Sequence, residues 1–344
     1  MPDFLSLVIP CRDEAASIAA CLAGVLGSEG IDAGSFEVIV AEGGSRDGTR
    51  AIVAAIAAGD GRVRLVDNPG GNTSAGLNAA IRAARGSILL RIDAHTVIAP
   101  DYVKTCVEVL RATGADNVGG PWVARGSGYL SRAIAAASGS RFAAGGSPCR
   151  DRRHRGPVEG VYLGCWPRAV LDRVGPFDES LARNQDDEWS LRLAKLGGVA
   201  WQDPAIRSWY TCRSSLRQLC RQYFQYGYWK VFVMRKHGRP ASFRHLVPGA
   251  FVLAVAGLAM ACPWSGAARV GLAVMLGLYL AADLLATAIV ALRENASLIW
   301  VLPAVFPAFH LGYGFGLVAG AWDALVVRRG SGRFVGLTRG EGAR

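Results

Sequence analysis

The chain has 344 residues, more than one typical core holds, and carries Lys+Arg 38 against Asp+Glu 27, a net charge of +11. A balance this basic suits an anionic partner, and the placement of the cations beside apolar segments favours lipid head groups over nucleic acid. The 8 cysteines (Cys11, Cys21, Cys106, Cys149, Cys165, Cys212, Cys220 and Cys262) make no C-x-x-C pair and have no His cluster beside them. That argues against a zinc site or a disulfide framework and for reduced cytosolic thiols. Asp3 ahead of a short apolar run does not read as a signal peptide.

Residues 4–10 read as a buried strand, followed by the loop Cys11-Arg12-Asp13-Glu14. Residues 15–26 have helical spacing. A second strand spans 36–40 and leads into Ala41-Glu42-Gly43-Gly44-Ser45-Arg46-Asp47-Gly48-Thr49. The glycine pair there lets backbone pass close to a ligand, or simply makes a β-to-α turn capped by Ser45 or Asp47. Helical residues 50–58, a strand at 63–67, a helix at 72–84 and a strand at 88–92 complete a β-α-β-α-β-α-β order. That order predicts a mostly parallel sheet covered by helices, with Asp13, Glu14, Glu42 and Asp93 delivered to one edge. Asp93 ends its strand and His95 follows on the same side, so the pair makes either a solvated turn or a cation site able to hold a diphosphate.

Residues 121–155 are rich in Gly, Ala, Ser and Arg and read as a mobile loop region with a helix near 130–138. A strand at 160–166 and a helix at 168–174 follow. Asn184-Gln185-Asp186-Asp187-Glu188-Trp189 opens a further helix. Its acids suit the helix dipole, and one of them suits a general base.

Residues 216–233 form an aromatic and basic helix with the composition of an interfacial belt. Three apolar segments, 246–268, 270–292 and 298–322, each meet the roughly 20-residue requirement for a membrane span. Asp283 is costly in hydrocarbon, and His310 is a candidate partner for it. Three spans put the two basic flanks on opposite sides, against the positive-inside rule. The proline-containing third segment is the one to suspect of being re-entrant or interfacial. The expected domains are 1–240, a membrane domain at 241–327 and a disordered basic tail at 328–344.

The stretches Val8-Ile9-Pro10-Cys11-Arg12-Asp13-Glu14, Glu42 to Thr49, Ser74-Ala75-Gly76-Leu77-Asn78, Arg91-Ile92-Asp93-Ala94-His95, Gly175-Pro176-Phe177-Asp178-Glu179, Asn184-Gln185-Asp186 and Gln222-Tyr223-Phe224-Gln225-Tyr226-Gly227 come in one order. In that order they resemble the family 2 glycosyltransferases with a GT-A fold, and within them the ExoA-like, succinoglycan-type exopolysaccharide branch. The resemblance covers residues 5–236. It implies a Rossmann-like α/β catalytic domain followed by transmembrane helices, in the plasma (inner) membrane as a multi-pass protein with a cytoplasmic catalytic domain. It implies a nucleotide site at Pro10, Arg12, Glu14, Glu42, Asn78 and Asp93, with Glu14 and Glu42 on the uridine base and ribose. Asp93 and His95 would hold Mg²⁺ or Mn²⁺, and Asp186 would deprotonate the acceptor. Arg221, Trp189 and Asp187 would serve the diphosphate or the acceptor.

The resemblance points to transfer of one sugar, with inversion, from a UDP-sugar to a polyprenyl-diphosphate-linked saccharide. A single carboxylate base with direct attack inverts the anomeric centre. Other polysaccharide-assembly proteins are candidate partners. Two positions depart from the family pattern: Gln185 replaces a Glu before the base, and His95 fills the third D-x-D place. Gln218-Leu219-Cys220-Arg221-Gln222 lacks the Q-x-x-R-W signature of processive synthases. The alternatives are a processive synthase and an inactive sugar-nucleotide-binding scaffold.

Overall fold

The computed structural model describes residues 4–240, 242–327 and 333–334. It divides into two compact units, one taking the described residues up to Val123 with Pro148–Thr211, the other 124–147 with the residues from Cys212 onward. The helix expected at the end of the catalytic domain therefore packs within the second unit. Of the expected basic tail only Arg333 and Phe334 lie inside the described residues.

The first unit begins with β1 (Leu5–Cys11), α1 (Ile18–Leu26), β2 (Phe36–Glu42), α2 (Thr49–Gly59), β3 (Val63–Asp67), α3 (Thr73–Ala83) and β4 (Ile88–Arg91). These boundaries fall within a few residues of those read from the sequence. The chain continues with β5 (Thr96–Ile98), α4 (Tyr102–Thr113) and β6 (Asn117–Gly120), none of them expected. It then leaves for the second unit through β7 (Ala124–Arg125), α5 (Tyr129–Ser138) and α6 (Arg141–Ala144). It returns with β8 (Gly156–Val158), β9 (Tyr162–Pro167), α7 (Arg168–Val174), α8 (Gln185–Lys195), β10 (Ala200–Gln202) and β11 (Ser208–Thr211).

Eight strands form one sheet in the order β3-β2-β1-β4-β9-β6-β10-β8. β1 pairs in parallel with both β2 and β4, with Leu7 opposite Val38 and Leu90, whereas β9 runs antiparallel to β4 and β6. A strand covered on both faces needs a continuous apolar run, and Leu5-Ser6-Leu7-Val8-Ile9 supplies one. Alternation then sends Leu7 and Ile9 into a core with Ile18, Leu22 and Cys106, and Val8 into a second core with Leu77, Leu171 and Trp189. The result is helix, sheet and helix in three layers.

The second unit is helical: α9 (Leu216–His237), α10 (Val247–Ala261), α11 (Gly266–Arg293) and α12 (Leu302–Ala321) join α5 and α6. Among the described residues three helices are long and apolar enough to cross a membrane: Phe243–Ala261, Gly266–Arg293 and Leu302–Val326. The first expected segment is cut by a turn at 262–265, where Pro263 cannot continue the helix and Ser265 caps α11 by accepting from Ala268 N. Asp283 accepts from Thr287 Oγ1 one turn on, 3.5 Å away, and not from His310. The His310 ring is taken instead by the Tyr279 hydroxyl and the Phe142 carbonyl oxygen, both at 2.9 Å. α9 carries Arg217, Arg221, Lys230, Arg235 and Lys236. Each would cost about 3 kcal/mol if it faced lipid at the centre of a bilayer.

Candidate active site

The chain passes from β1 outward to β2 and β3, then returns to β4 on the other flank of β1. The topological switch point therefore lies between β1 and β4, and ligands settle outside the carboxyl ends of the strands at such a point. Those ends are Cys11-Arg12-Asp13-Glu14 and Ile92-Asp93-Ala94-His95, and they meet. His95 Nδ1 lies 2.8 Å from Glu14 Oε1, and Ser17 Oγ donates to Glu14 Oε2 at 2.7 Å. A carboxylate at Nδ1 favours the tautomer with its proton there and leaves the lone pair on Nε2, the arrangement of a histidine readied for a metal. Glu14, expected against the uridine, is thus the partner of His95. The two side chains are 15% and 20% exposed, open enough to be reached.

Asp93 accepts from Arg91 Nε at 2.8 Å, and its side chain is 18% exposed. Arg91 is buried on β4. Burial pushes its pKa down, but the charges of Asp93 and Asp186 outweigh that and hold the guanidinium ionised. One buried cation therefore feels both the expected metal ligand and the expected base. Asp186 is exposed in the first turn of α8, where Asp187 N donates to its Oδ1 at 3.0 Å. The turn is entered through Asn184 at φ 59, a left-handed conformation that Asn tolerates better than most residues. Asp187 is exposed beside it. Asp13, at φ 52, is the other strained loop residue here, and its Oδ1 accepts from Arg46 N. Such strain collects at functional loops.

The β2 loop is built differently. Glu42 is buried and accepts from Ser45 N at 2.6 Å and from Arg50 at 3.1 Å. Burial raises its pKa, yet the hydrogen bonds from Ser45, Arg50 and Gly44 more than offset this and hold the carboxyl below its ordinary range. Asp47 accepts from Ala15 N, Thr49 N and Thr49 Oγ1, and these bonds likewise overcome desolvation and lower its pKa. Glu42, expected on the nucleoside, therefore has a side chain that is 1% exposed and committed to its own turn. Arg12 is exposed and donates to Gly71 O at 3.0 Å, tying the β1 loop to the loop before α3. Pro10 faces Gly76 of α3, where a Cβ would sit 3.1 Å from the proline Cβ, so only glycine lets the helix come this near.

Two expected site residues are framework. Asn78 is buried, accepts from Phe177 N and donates to Phe177 O, each at 2.9 Å. Its amide pins the Gly175–Glu179 loop. Trp189 is 2% exposed, stacks on Phe177 and donates to Gly175 O. Arg221 lies on α9 in the second unit.

An aromatic wall beside His95 was not read from the sequence. Tyr210 of β11 meets the His95 ring edge-on at 5.9 Å and packs on Trp122 at 4.9 Å. Tyr162 bonds Thr96 across 2.8 Å, and the Arg150 guanidinium lies 3.7 Å over the Trp122 ring. Gly119-Gly120-Pro121-Trp122, a strand broken by turn residues, was the one signal available.

Among the described residues no three His, Cys, Asp or Glu side chains gather into a metal cage. Asp93 and His95 nonetheless offer a carboxylate and an oriented imidazole. That pair fits an ion whose remaining ligands come from a diphosphate or water, and it suits Mn²⁺ better than Mg²⁺.

The model of the family described as Glycosyl transferase family 2 matches residues 6–155. The succinoglycan biosynthesis protein ExoA of Rhizobium meliloti is 35% identical over 260 residues, covering 74% of this chain and 76% of that protein. The Methanococcus voltae dolichyl N-acetyl-alpha-D-glucosaminyl phosphate 3-beta-D-2,3-diacetamido-2,3-dideoxy-beta-D-glucuronosyltransferase is 23% identical over 330 residues, 92% of this chain and 98% of that one. Among solved structures, the mannosyltransferase PcManGT from Pyrobaculum calidifontis, in complex with GDP-Man and Mn²⁺, superposes with a TM-score of 0.62. At 19% identity, over 94% of this chain and 88% of that one, this likeness shows a shared fold.

Proposed function

The chain belongs to glycosyl transferase family 2, and from that premise we propose that it moves a single sugar from a nucleotide diphosphate, a UDP-sugar, to a lipid-linked saccharide at a membrane. Its first unit has the GT-A fold expected from the sequence. The observation that carries the proposal is the meeting of Glu14 with His95 at the β1/β4 switch point, beside Asp93 and the Arg91 that feels both Asp93 and Asp186.

Asp93 and His95 would hold Mn²⁺ or Mg²⁺ against the donor diphosphate. A bound ion supplies Lewis-acid neutralisation of the leaving charge. Glu14 keeps the Nδ1 proton of His95 in place and so aims the other nitrogen. Asp186, exposed in the first turn of α8, takes the proton of the acceptor hydroxyl. The freed oxygen attacks the anomeric carbon, the bond to the diphosphate breaks, and the nucleoside diphosphate leaves. A single displacement of this kind inverts the anomeric centre. The loops pinned by Glu42, Asp47 and Arg12 line the nucleoside pocket, and Asp187 stands on the acceptor side. The relatives' roles in succinoglycan and dolichyl-linked sugar assembly support a lipid-linked acceptor and exopolysaccharide or surface-glycan biosynthesis. The three apolar helices among the described residues support placement in a membrane, which we take to be the plasma membrane, with the catalytic unit on its cytoplasmic side.

Purified full chain in detergent tests this. It is expected to release UDP from a UDP-sugar when Mn²⁺ is present and to stop on chelation. Equal turnover with chelator present contradicts the metal-diphosphate reading.

A further inference from the structure

Three helices qualify by length and apolarity to cross a membrane, but their surroundings differ sharply. The windows of Phe243–Ala261 and Gly266–Arg293 are 11% and 17% buried within the protein, while that of Leu302–Val326 is 44% buried. α10 and α11 turn apolar side chains outward along their length, including Leu253, Met260, Val270, Leu278 and Leu285, with Trp264 at the turn between them. Such a surface calls for lipid.

α12 is held otherwise. A Cβ on Gly312 would sit 2.9 Å from Cys220 O, one on Gly316 would fall on Phe224 O, and one on Gly320 would sit 2.6 Å from Tyr228 O. Gly227 in turn faces Tyr313 O. Both sets of positions climb in steps of four, so α9 and α12 run side by side in the same direction, backbone against backbone. The pairing is locked at its far end, where Tyr228 Oη donates to Asp323 Oδ2 at 3.0 Å, Arg235 donates to Ala324 O at 3.1 Å and Arg333 pairs with Asp323.

Small residues at such spacing also build contacts between membrane spans. Here the partner helix decides the matter. α9 carries Arg217 and Arg221 at one end and Arg235 and Lys236 at the other, with Lys230 buried between them, so only residues 222–234 are free of partly or fully exposed cations, too short a stretch to cross hydrocarbon. A helix fixed along it must lie at its depth. The opposite face of α12 meets the feet of the α10–α11 pair. Gly314 touches Pro248 and Val252 in the first turns of α10, and Leu302 and Val305 share a core with Val290 and Ala291 in the last turns of α11. His310 of α12 also meets Tyr279 midway along α11, so α12 crosses the hairpin obliquely from the end of α11 to the start of α10.

Building on the membrane reading above, we infer that the chain crosses the bilayer twice, through α10 and α11 alone, and that α12 is a protein-packed helix on the side from which the hairpin enters. This removes the sidedness conflict. Arg235, Lys236, Arg239 and Arg244 before the hairpin and Arg333 after it then fall on one face, while the turn at 262–265 carries no charge.

Three tagged versions of the full chain test the inference in sealed vesicles. One tag is at the N-terminus, one in the 262–265 turn and one at the C-terminus. Protease added to inside-out vesicles is expected to remove both terminal tags and spare the turn tag, and right-side-out vesicles to reverse the pattern. A C-terminal tag that digests with the turn tag overturns the inference and restores a third crossing. All three tags digesting together in inside-out vesicles also overturns it, because then the hairpin does not cross. Alkaline carbonate extraction separates the two levels of failure. A chain that washes off sinks the membrane reading itself, whereas one that stays with its C-terminus on the turn side sinks only the two-crossing inference.

Discussion

Two acidic loops at the same sheet edge have opposite constructions. After β2, Glu42 and Asp47 accept from backbone amides, hydroxyls and an arginine of their own neighbourhood, and the Glu42 side chain is 1% exposed. After β4, Asp93 and His95 are 18% and 20% exposed, and each is oriented by one charged partner, Arg91 and Glu14. The first loop uses carboxylates to fix a turn, and the second leaves its groups partly exposed, as the proposed metal and diphosphate site requires. Position at a strand end does not separate acids that build from acids that act. Burial and hydrogen-bond partners do.

Substitutions sharpen the contrast, because acting groups should move rate and building groups should move stability. The largest effect is expected for Asp186→Asn, which removes the base and should lower transfer by roughly 10²–10⁴-fold with little change in melting temperature. Trp189→Ala should cost about 3–5 kcal/mol of stability through the cavity it leaves beneath α8, read by denaturant unfolding. His95→Ala should weaken Mn²⁺ binding in the presence of UDP, and Glu14→Gln should do so by about 10–100-fold through loss of ring orientation. Mn²⁺ titration followed by electron paramagnetic resonance measures both. If Glu14→Gln leaves Mn²⁺ affinity unchanged while weakening UDP binding, Glu14 touches the nucleoside after all. Glu42→Gln should cost about 1–3 kcal/mol, since it unbalances Arg50 and the Ser45 amide.

The smallest effect is the pH dependence. Glu42 and Asp47 have lowered pKa values in the fold, so their ionised forms stabilise it above the ordinary carboxylate value of about 4. That stability is lost as pH falls through the lowered folded values. Melting temperature should therefore hold from pH 7 to 5 and drop below pH 4, by less in Glu42→Gln.

Strands buried on both faces were legible because continuous apolar runs such as Leu5 to Ile9 have few other uses, and the switch-point edge followed from their order. Helix α4 and strand β6 went unread. α4 is amphipathic with Lys104, Glu108 and Arg111 outward, and β6 is the glycine-rich Asn117-Val118-Gly119-Gly120. Roles were harder to see than positions. Trp189 and Asn78 carry polar groups that suit a ligand equally well. Only tertiary packing shows that Gly175 and Phe177 have taken them. The pairing of Glu14 with His95 joins residues far apart in the chain that no local pattern links, and Tyr210 and Trp122 are brought to His95 in the same way. The proposed two-crossing arrangement was half legible, since the prolines and the two basic flanks make the third segment suspect, but its packing against α9 is tertiary. Hydropathy scores α12 by its own residues, while its place depends on the charges of α9.

The most direct test of the central claim compares wild type and Asp186→Asn in membranes. The measurement is transfer of label from a panel of radiolabelled UDP-sugars into the lipid-extractable fraction, normalised to UDP bound. Transfer by the variant is expected to fall on the order of 10³-fold while UDP binding stays within about twofold. Transfer at the wild-type rate with equal UDP bound would contradict the assignment of Asp186 as the base, and with it the catalytic site drawn around β1 and β4.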